Sequence, residues 1–151
     1  MLFTFASIAD LDEIIMIEKQ RNLSNFGYDN YLRFLSDSDH QILVSRSSEA
    51  VLGFLALRLI MVTKEAEILN IGVKSDSEEK GIGTGLLDFA IINLLSWQIR
   101  EIWLEVRESN IRAKDLYLRN GFVIMGKRKD YYDAPKEDAL LMKMILPSRR
   151  S

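Results

Sequence analysis

The pattern of apolar and polar residues along the chain predicts seven strands and four helices. Leu11, Ile14 and Ile15 recur near the helical period and predict a first helix from about Ile8 to Arg21. Asp10 and Glu13 have the residue types and spacing of a capping box at its start. The pattern also predicts strands near the N-terminus and over residues 41–45, 51–62, 66–73, 101–106, 122–129 and 139–146, and helices over about residues 31–35, 86–97 and 111–120.

The order of these elements indicates the fold class. One strand is followed by two helices, three strands, a helix, a strand, a helix and two final strands. Hairpins at both ends with helical crossovers in the middle are typical of a mixed sheet covered by helices, an α/β (α+β) fold. No repeat, linker or low-complexity tract interrupts residues 1–151, so we expect a single domain.

The composition narrows the possible functions. The chain has 151 residues, a formal net charge of -2 and no cysteine. The lack of cysteine excludes a disulfide scaffold, a zinc finger, an iron–sulfur centre and a cysteine nucleophile within this sequence. The slight acidity argues against nucleic acid as the main partner, because such binding normally needs a basic face. No EF-hand spacing occurs, and we expect no bound metal.

The apolar segments do not predict a membrane protein. No Lys or Arg precedes Lys19, so the charged front end of a signal peptide is missing. The longest apolar stretch, Val51 to Val62, is interrupted by Arg58 and is shorter than the roughly 20 residues of a membrane helix. We therefore expect a cytoplasmic protein that does not enter a membrane.

A glycine-rich loop is the first candidate functional segment. Gly81, Gly83 and Gly85 follow a polar loop and precede an apolar helix. Such a loop directs unpaired N–H groups and the positive end of the helix dipole at one point, which favours an anion. The lysine of a P-loop is missing after Gly83, and the G-x-G-x-x-G spacing of a dinucleotide-binding turn is also missing. The loop is therefore either a pyrophosphate site or an inert turn.

The second candidate segment runs from Leu104 to Phe122. Strand alternation places Leu104 and Val106 on one face and Glu105 on the other, where the strand ends beside the start of a helix that carries Tyr117. Taken alone, Glu105 is either a catalytic base or a solvated strand residue. Tyr117 is likewise either a functional hydroxyl or part of the core.

Taken together, the two segments resemble the GNAT family of acyl-CoA-dependent N-acetyltransferases, and most closely its RimI-type ribosomal-protein alanine N-acetyltransferases. The stretches that carry the resemblance are E-A-E-I-L-N-I-G-V, E-E-K-G-I-G-T-G-L-L, W-L-E-V-R-E-S-N and A-x-x-L-Y-x-x-x-G-F, within residues 65–122. The resemblance implies a mixed, mostly antiparallel seven-stranded sheet with splayed central strands and about four flanking helices. It also implies acetyl transfer from acetyl-CoA to an amine.

The resemblance implies a role for individual residues. Glu105 would be the base that deprotonates the amine, Tyr117 would face the departing sulfur, and Asn110 would contact the cofactor. Main-chain groups of Ile71, Gly72 and Val73 would pair with the pantetheine arm and the acetyl carbonyl. The residues implied to hold the pyrophosphate are Glu79, Lys80, Gly81, Ile82, Gly83 and Thr84.

The implied acceptor is the N-terminal amine of a peptide or protein, including a ribosomal protein. An α-amine with a pKa near 8 is roughly one-tenth neutral at pH 7, whereas a lysine near 10.4 is neutral about once in 2,500, a difference of about 3 kcal/mol. A carboxylate such as Glu105 is therefore an adequate base for an α-amine. A small-molecule amine, a non-catalytic acyl-CoA binder and a cofactor-free interaction module remain alternatives, and the oligomeric state is open.

Two further features bear on the mechanism. Because the sequence has no cysteine, direct attack in a ternary complex is favoured over an acetyl-cysteine intermediate. Glu78 stands where the family usually has Gln or Arg, and Glu79 follows it. Two solvated carboxylates beside a diphosphate repel it by on the order of 1 kcal/mol each. Lys74 and Lys80 are expected to offset this repulsion.

Overall fold

Seven strands form one mixed sheet in the computed structural model, which describes residues 1–21, 23–78 and 80–147. The strands are β1 (Leu2–Phe5), β2 (His40–Ser47), β3 (Ala50–Ile60), β4 (Glu65–Val73), β5 (Glu101–Arg107), β6 (Val123–Tyr132) and β7 (Glu137–Ile145). The helices are α1 (Leu11–Gln20), α2 (Tyr28–Leu35), α3 (Ile82–Ser96) and α4 (Ile111–Arg119), and short 3-10 turns cover Ile8–Asp10 and Ser75–Ser77.

The strand order is β1-β2-β3-β4-β5-β7-β6, and only the β4–β5 pair is parallel among the described strands. The predicted mixed and mostly antiparallel sheet with four flanking helices is therefore confirmed. The predicted bounds differ from the observed ones by a few residues at several ends. The largest difference is at α3, which begins four residues before the prediction, while α2 begins three residues before it and β6 continues three residues beyond it.

Two apolar layers cover the sheet on opposite sides, because side chains alternate along its strands. On β3, Leu55, Leu57 and Leu59 pack with α3 and α4, whereas Phe54 and Ala56 pack with α1 and α2. The helices therefore hold the sheet between them. Within the described residues, no helix is long and apolar enough to cross a membrane.

The start of α1 differs from the sequence prediction. The Asp10 carboxylate accepts a hydrogen bond from the Ser7 backbone N–H at 2.8 Å. The capping contact therefore joins Ser7 and Asp10, one turn earlier than the predicted contact between Asp10 and Glu13. Asp10 also accepts two hydrogen bonds of 2.7 Å from the Arg46 guanidinium. Glu13 instead accepts from the Val51 backbone N–H. The predicted capping box is therefore wrong, because both carboxylates have tertiary partners on β2 and β3.

Two glycines allow close packing around the central strands. A Cβ at Gly85 would lie 2.2 Å from Cζ of Phe3, so this glycine lets α3 pack against β1. A Cβ at Gly72 would lie 2.6 Å from Cδ1 of Leu23, so the segment after α1 can cover β4. Both contacts place the helices close to the site described next.

Candidate active site

The candidate site lies where β4 and β5 separate. The two strands are paired from Glu65 to Ile68 and from Glu101 to Leu104, and the pairing stops there although both strands continue. On its other side β4 stays paired with β3 as far as Val73. Within the described residues, the β4 main chain after Ile68 therefore has no strand partner on the β5 side, and its peptide groups can bind an extended ligand. The splayed central strands that the resemblance implied are present.

A cavity of about 370 Å³ opens between the end of β4, the start of α3 and α4. It is lined by most of the residues predicted to bind the cofactor: Ile71, Gly72, Val73, Gly81, Ile82, Gly83, Thr84 and Asn110. The fold thus brings the three residues of β4 and the glycine loop to one space. This shared location is what a ligand with an extended arm and a charged group would need.

The N-terminus of α3 fits an anion. Gly81 precedes the helix with φ of 74°, a left-handed conformation that favours glycine. No side chain among the described residues caps this end of the helix, and the first helical hydrogen bond runs from the Gly85 N–H to the Gly81 carbonyl at 2.9 Å. The N–H groups of residues 82–84 are therefore available to phosphate oxygens.

Lys80 is the one predicted loop residue that the structure describes and that does not line this cavity. Glu79 lies outside the described residues, so its predicted role stays a prediction. Lys80 is exposed and is not part of the cavity lining. The part of the predicted loop that lines this cavity is therefore Gly81 to Thr84.

A second cavity of about 70 Å³ contains both predicted catalytic residues, Glu105 and Tyr117. Leu23, Ile71, Asn110 and Ala113 line both cavities, so the two spaces adjoin. Tyr132 also lines the second cavity. Its neighbour Tyr131 is not in the lining and is 49% exposed.

Glu105 is a largely buried carboxylate whose pKa is subject to opposing influences. Its side chain is 17% exposed, and Nε of Arg128 lies 3.3 Å from Oε2 in an ion pair without hydrogen-bond geometry. Burial raises the pKa of Glu105, Arg128 lowers it, and the nearby Glu67 raises it, with a net upward shift. A carboxylate with a raised pKa is a stronger base once ionised, and this suits proton abstraction from an amine.

Tyr117 and Tyr132 supply the hydroxyl groups of the second cavity. Tyr117 is 4% exposed and packs against the Phe122 ring at 5.3 Å between centroids, so it serves the core and the cavity at once. Burial raises the pKa of Tyr117, and burial together with the charge of Glu105 raises the pKa of Tyr132 to about 12. Both phenols therefore stay protonated at neutral pH and can donate hydrogen bonds.

Asn110 has a structural role in addition to its place in both cavities. It is the N-cap of α4, and its Oδ1 accepts a hydrogen bond from the Ala113 N–H at 3.2 Å. Capping leaves the side-chain NH₂ group as the available donor. Asn110 therefore fixes the start of α4 where the two cavities meet.

The sequence analysis did not identify the arginines of the larger cavity. Arg21, Arg112 and Arg119 all line it, together with Glu78. Arg112, Leu116 and Arg119 follow the i, i+4, i+7 spacing of one helix face, so the periodicity of α4 could have indicated two of them. Arg21 gives no such signal, because it reaches the cavity only through the packing of α1 on the sheet.

Comparison with known proteins agrees with this fold. The model of the acetyltransferase (GNAT) family matches residues 8–122. The chain belongs to this family. The predicted resemblance and the predicted enzyme class, an N-acetyltransferase, are confirmed.

Two relatives illustrate the similarity in sequence. An N-alpha-acetyltransferase of Sulfurisphaera tokodaii is 29% identical over 148 residues, which cover 91% of this chain and 88% of that protein. The [ribosomal protein bS18]-alanine N-acetyltransferase of Escherichia coli strain K12 is 38% identical over 84 residues, which cover 54% of this chain and 57% of that protein.

Solved structures show the same fold at lower identity. The ribosomal-protein-S18-alanine N-acetyltransferase from Escherichia coli superposes with a TM-score of 0.87 at 24% identity, covering 99% of this chain and 96% of that one. Ard1 from Thermoplasma volcanium also gives a TM-score of 0.87 at 24% identity, covering 97% and 98% of the two chains. Enzymes of the GNAT family use acetyl-CoA. Within the described residues, no group of three or more His, Asp or Glu side chains is placed to hold a metal ion.

Proposed function

We propose that this protein transfers the acetyl group of acetyl-CoA to the α-amine of a protein N-terminus by direct attack in a ternary complex. The observation that carries the proposal is the junction of the two cavities between β4 and β5. One cavity has the anion-binding start of α3, and the other has the Glu105 carboxylate. A donor that spans the first cavity would thus bring its acyl end beside a base.

The first cavity is suited to acetyl-CoA, which supplies the activated acetyl group as a thioester. Backbone N–H groups of residues 81–84 would hold the diphosphate at the start of α3. Unpaired main-chain groups of Ile71, Gly72 and Val73 would hydrogen-bond the pantetheine arm and orient the acetyl carbonyl. The Asn110 side chain would limit the movement of the arm where the cavities adjoin.

Glu105 is the proposed base. It would accept the proton that the amine loses while the new C–N bond forms and the C–S bond breaks. The Tyr117 hydroxyl, which stays protonated, would donate a hydrogen bond to the departing sulfur. Proton transfer from an ordinary phenol of pKa near 10 to a thiolate of about 8.5 is uphill by around 2 kcal/mol, and the raised pKa of Tyr117 makes it more unfavourable, so a hydrogen bond is the proposed role.

Both the site and the relatives favour an α-amine acceptor. An α-amine needs about 3 kcal/mol less than lysine to reach its neutral form at pH 7, and a single carboxylate is an adequate base for it. The compared relatives carry the names N-alpha-acetyltransferase and ribosomal protein bS18-alanine N-acetyltransferase. A ribosomal-protein N-terminus with alanine first is therefore the first acceptor to test.

The acceptor is tested by mass spectrometry of an amine panel incubated with the purified protein and acetyl-CoA. The panel contains the bS18 N-terminal peptide, other peptides with free N-termini, Nα-blocked peptides that contain lysine, and spermidine. We expect acetylation at free N-termini and little or none elsewhere. Products from spermidine or lysine alone would assign a different acceptor, and binding of acetyl-CoA without any product would indicate a non-catalytic acyl-CoA binder.

The base is tested with Glu105→Gln and a matched control. Glu101→Gln makes the same change four residues earlier on β5, where the carboxylate pairs with Lys143. We expect Glu105→Gln to lower kcat about 100-fold, since general-base contributions are typically 10²–10⁴-fold. The loss should be greatest below about pH 8, where most of the α-amine is protonated. Equal rates for the two variants at every pH would remove Glu105 as the base.

A further inference from the structure

A cluster of opposite charges lies at the edge of the larger cavity. The Glu78 carboxylate forms ion pairs with Arg21, which follows the last residue of α1, and with Arg112, in the first turn of α4. Oε1 of Glu78, the atom in both pairs, is buried. The carboxylate therefore connects the ends of two helices on either side of the loop that precedes α3.

All three side chains line the cavity in which the start of α3 lies. Arg119, two turns further along α4 than Arg112, lines it as well. Three arginines and one glutamate thus line the cavity, which leaves an excess of positive charge among these side chains. Guanidinium groups bind carboxylate and phosphate oxygens with the same geometry, so the arrangement around Glu78 is also one that binds a phosphate.

We propose that Glu78 is an internal competitor for the phosphates of the donor, and that Arg21 and Arg112 transfer from Glu78 to phosphate oxygens when the donor binds. This inference rests on the proposed function in so far as the occupant is an acyl-CoA. It also accounts for an acidic residue beside an anion site. While no phosphate is bound, the two guanidinium groups are paired with this carboxylate instead.

A second contact keeps Arg21 near the cavity after Glu78 has released it. The side-chain oxygen of Gln20 accepts a hydrogen bond from the Ser75 N–H at 3.2 Å, which joins the end of α1 to the loop before α3. Arg112 is fixed in a similar way by the Asn110 cap of α4. The two arginines thus remain close to the cavity without their ion pairs, and Glu78 is not needed to position them.

Glu78 either competes with the phosphates of the donor or serves only to position the two arginines. These two interpretations predict opposite effects of Glu78→Gln on the Kd for coenzyme A. Removing a competitor removes both the ion pairs that the donor must displace and the repulsion between carboxylate and phosphate. Repulsion between solvated charges about 4 Å apart is on the order of 1 kcal/mol, which corresponds to about fivefold in Kd. We expect Glu78→Gln to bind coenzyme A about fivefold more tightly. If Glu78 served only to position the two arginines, the same substitution would weaken binding.

Isothermal titration calorimetry with coenzyme A tests the proposal on the full chain. Glu49→Gln, in the exposed turn between β2 and β3 and outside the cavity lining, makes the same charge change and should leave Kd unchanged. Arg112→Gln should weaken binding several-fold in the wild-type protein and also in the Glu78→Gln background. Titration with 3′-dephospho-coenzyme A identifies the phosphate, because a gain that persists assigns the diphosphate and a gain that disappears assigns the 3′-phosphate.

Weaker or unchanged binding by Glu78→Gln would overturn the inference, as would an Arg112→Gln substitution that has no effect once Glu78 is replaced. These outcomes are separate from failure of the proposed function. If wild-type protein bound coenzyme A but acetylated no amine, the proposed activity would fail while the effect of Glu78 would still be measured. If no variant bound coenzyme A, both would fail.

Discussion

Replacing Asn70 by alanine is expected to destabilise the protein and to weaken acceptor binding through one buried network. Asn70 is 7% exposed and lies on β4, just beyond the last residue that pairs with β5. Its side-chain NH₂ group donates to the Ser24 carbonyl at 2.8 Å, to the Tyr31 hydroxyl at 2.9 Å and, more weakly, to Oε2 of Glu18 at 3.4 Å. The network thus ties the segment after α1 to the sheet.

The size of the effect follows from these contacts. Each of the two short hydrogen bonds contributes about 0.5–1.5 kcal/mol net, and a buried polar group left without its partner costs about 1–3 kcal/mol. Glu18 is 2% exposed. In the Asn70→Ala variant its carboxylate would still accept hydrogen bonds from the Gly27 N–H, at 3.2 Å, and from the Tyr31 hydroxyl. We therefore expect the free energy of unfolding to fall by about 2–4 kcal/mol.

This loss of stability is measured by urea denaturation of the Asn70→Ala variant, with the Asn93→Ala variant as a control. Asn93 donates only a local bond to the Phe89 carbonyl within α3, so the same substitution there should change stability by less than about 0.5 kcal/mol. Ser24 lines the cavity of Glu105, so the KM for the acceptor peptide should rise while the KM for acetyl-CoA stays the same. A loss below about 1 kcal/mol, or equal changes in both KM values, would refute the reasoning.

Three further predictions concern charge and packing. Arg128 lowers the pKa of Glu105, and Glu105 must be ionised to accept a proton. Arg128→Gln should therefore move the acid limb of the kcat/KM profile to higher pH, and a move to lower pH would contradict the assignment. Gly85→Ala places a Cβ 2.2 Å from the Phe3 ring and should cost about 1–3 kcal/mol in urea denaturation, with partial recovery on adding Phe3→Leu. Equal or higher stability of Gly85→Ala would contradict the packing. The ion pair of Asp10 lowers the pKa of that carboxyl from about 3.8, so its contribution is present above that pH and is lost as the pH falls through the lowered pKa. Asp10→Asn should cost about 1.5–3 kcal/mol at pH 7 and much less near pH 2, and a constant difference in urea denaturation would exclude this linkage.

The sequence predicted the sheet well and predicted where Gly81 and Glu105 lie in the fold. Burial alternates strictly along β4 and β5, and this is the signal from which both strands were predicted. Gly81 was predicted from its place in a glycine-rich loop that precedes a helix, and the structure adds its left-handed conformation. Periodicity predicted which face of its strand Glu105 occupies, whereas its role as a base was implied by the family resemblance.

The features that the sequence did not predict depend on contacts between distant segments. The charged environment of Glu105 comes from Arg128 on β6 and Glu67 on β4, and neither is close to it in sequence. Arg21, the partner of Glu78 that directly follows α1, is 57 positions away in sequence. Local patterns contain no information on such pairs, and for the same reason the predicted capping box of Asp10 and Glu13 was wrong.

The divergence of β4 and β5 has a consequence for how this enzyme can change. The space between them is produced by the course of two backbones, so it does not depend on which side chains line it. Substitutions at lining positions such as Tyr132 can therefore alter the preferred acceptor at little cost to the architecture. The donor arm, held by peptide groups, would be unaffected. Directed evolution of a new amine specificity should accordingly accumulate changes in these side chains and leave the strand register intact.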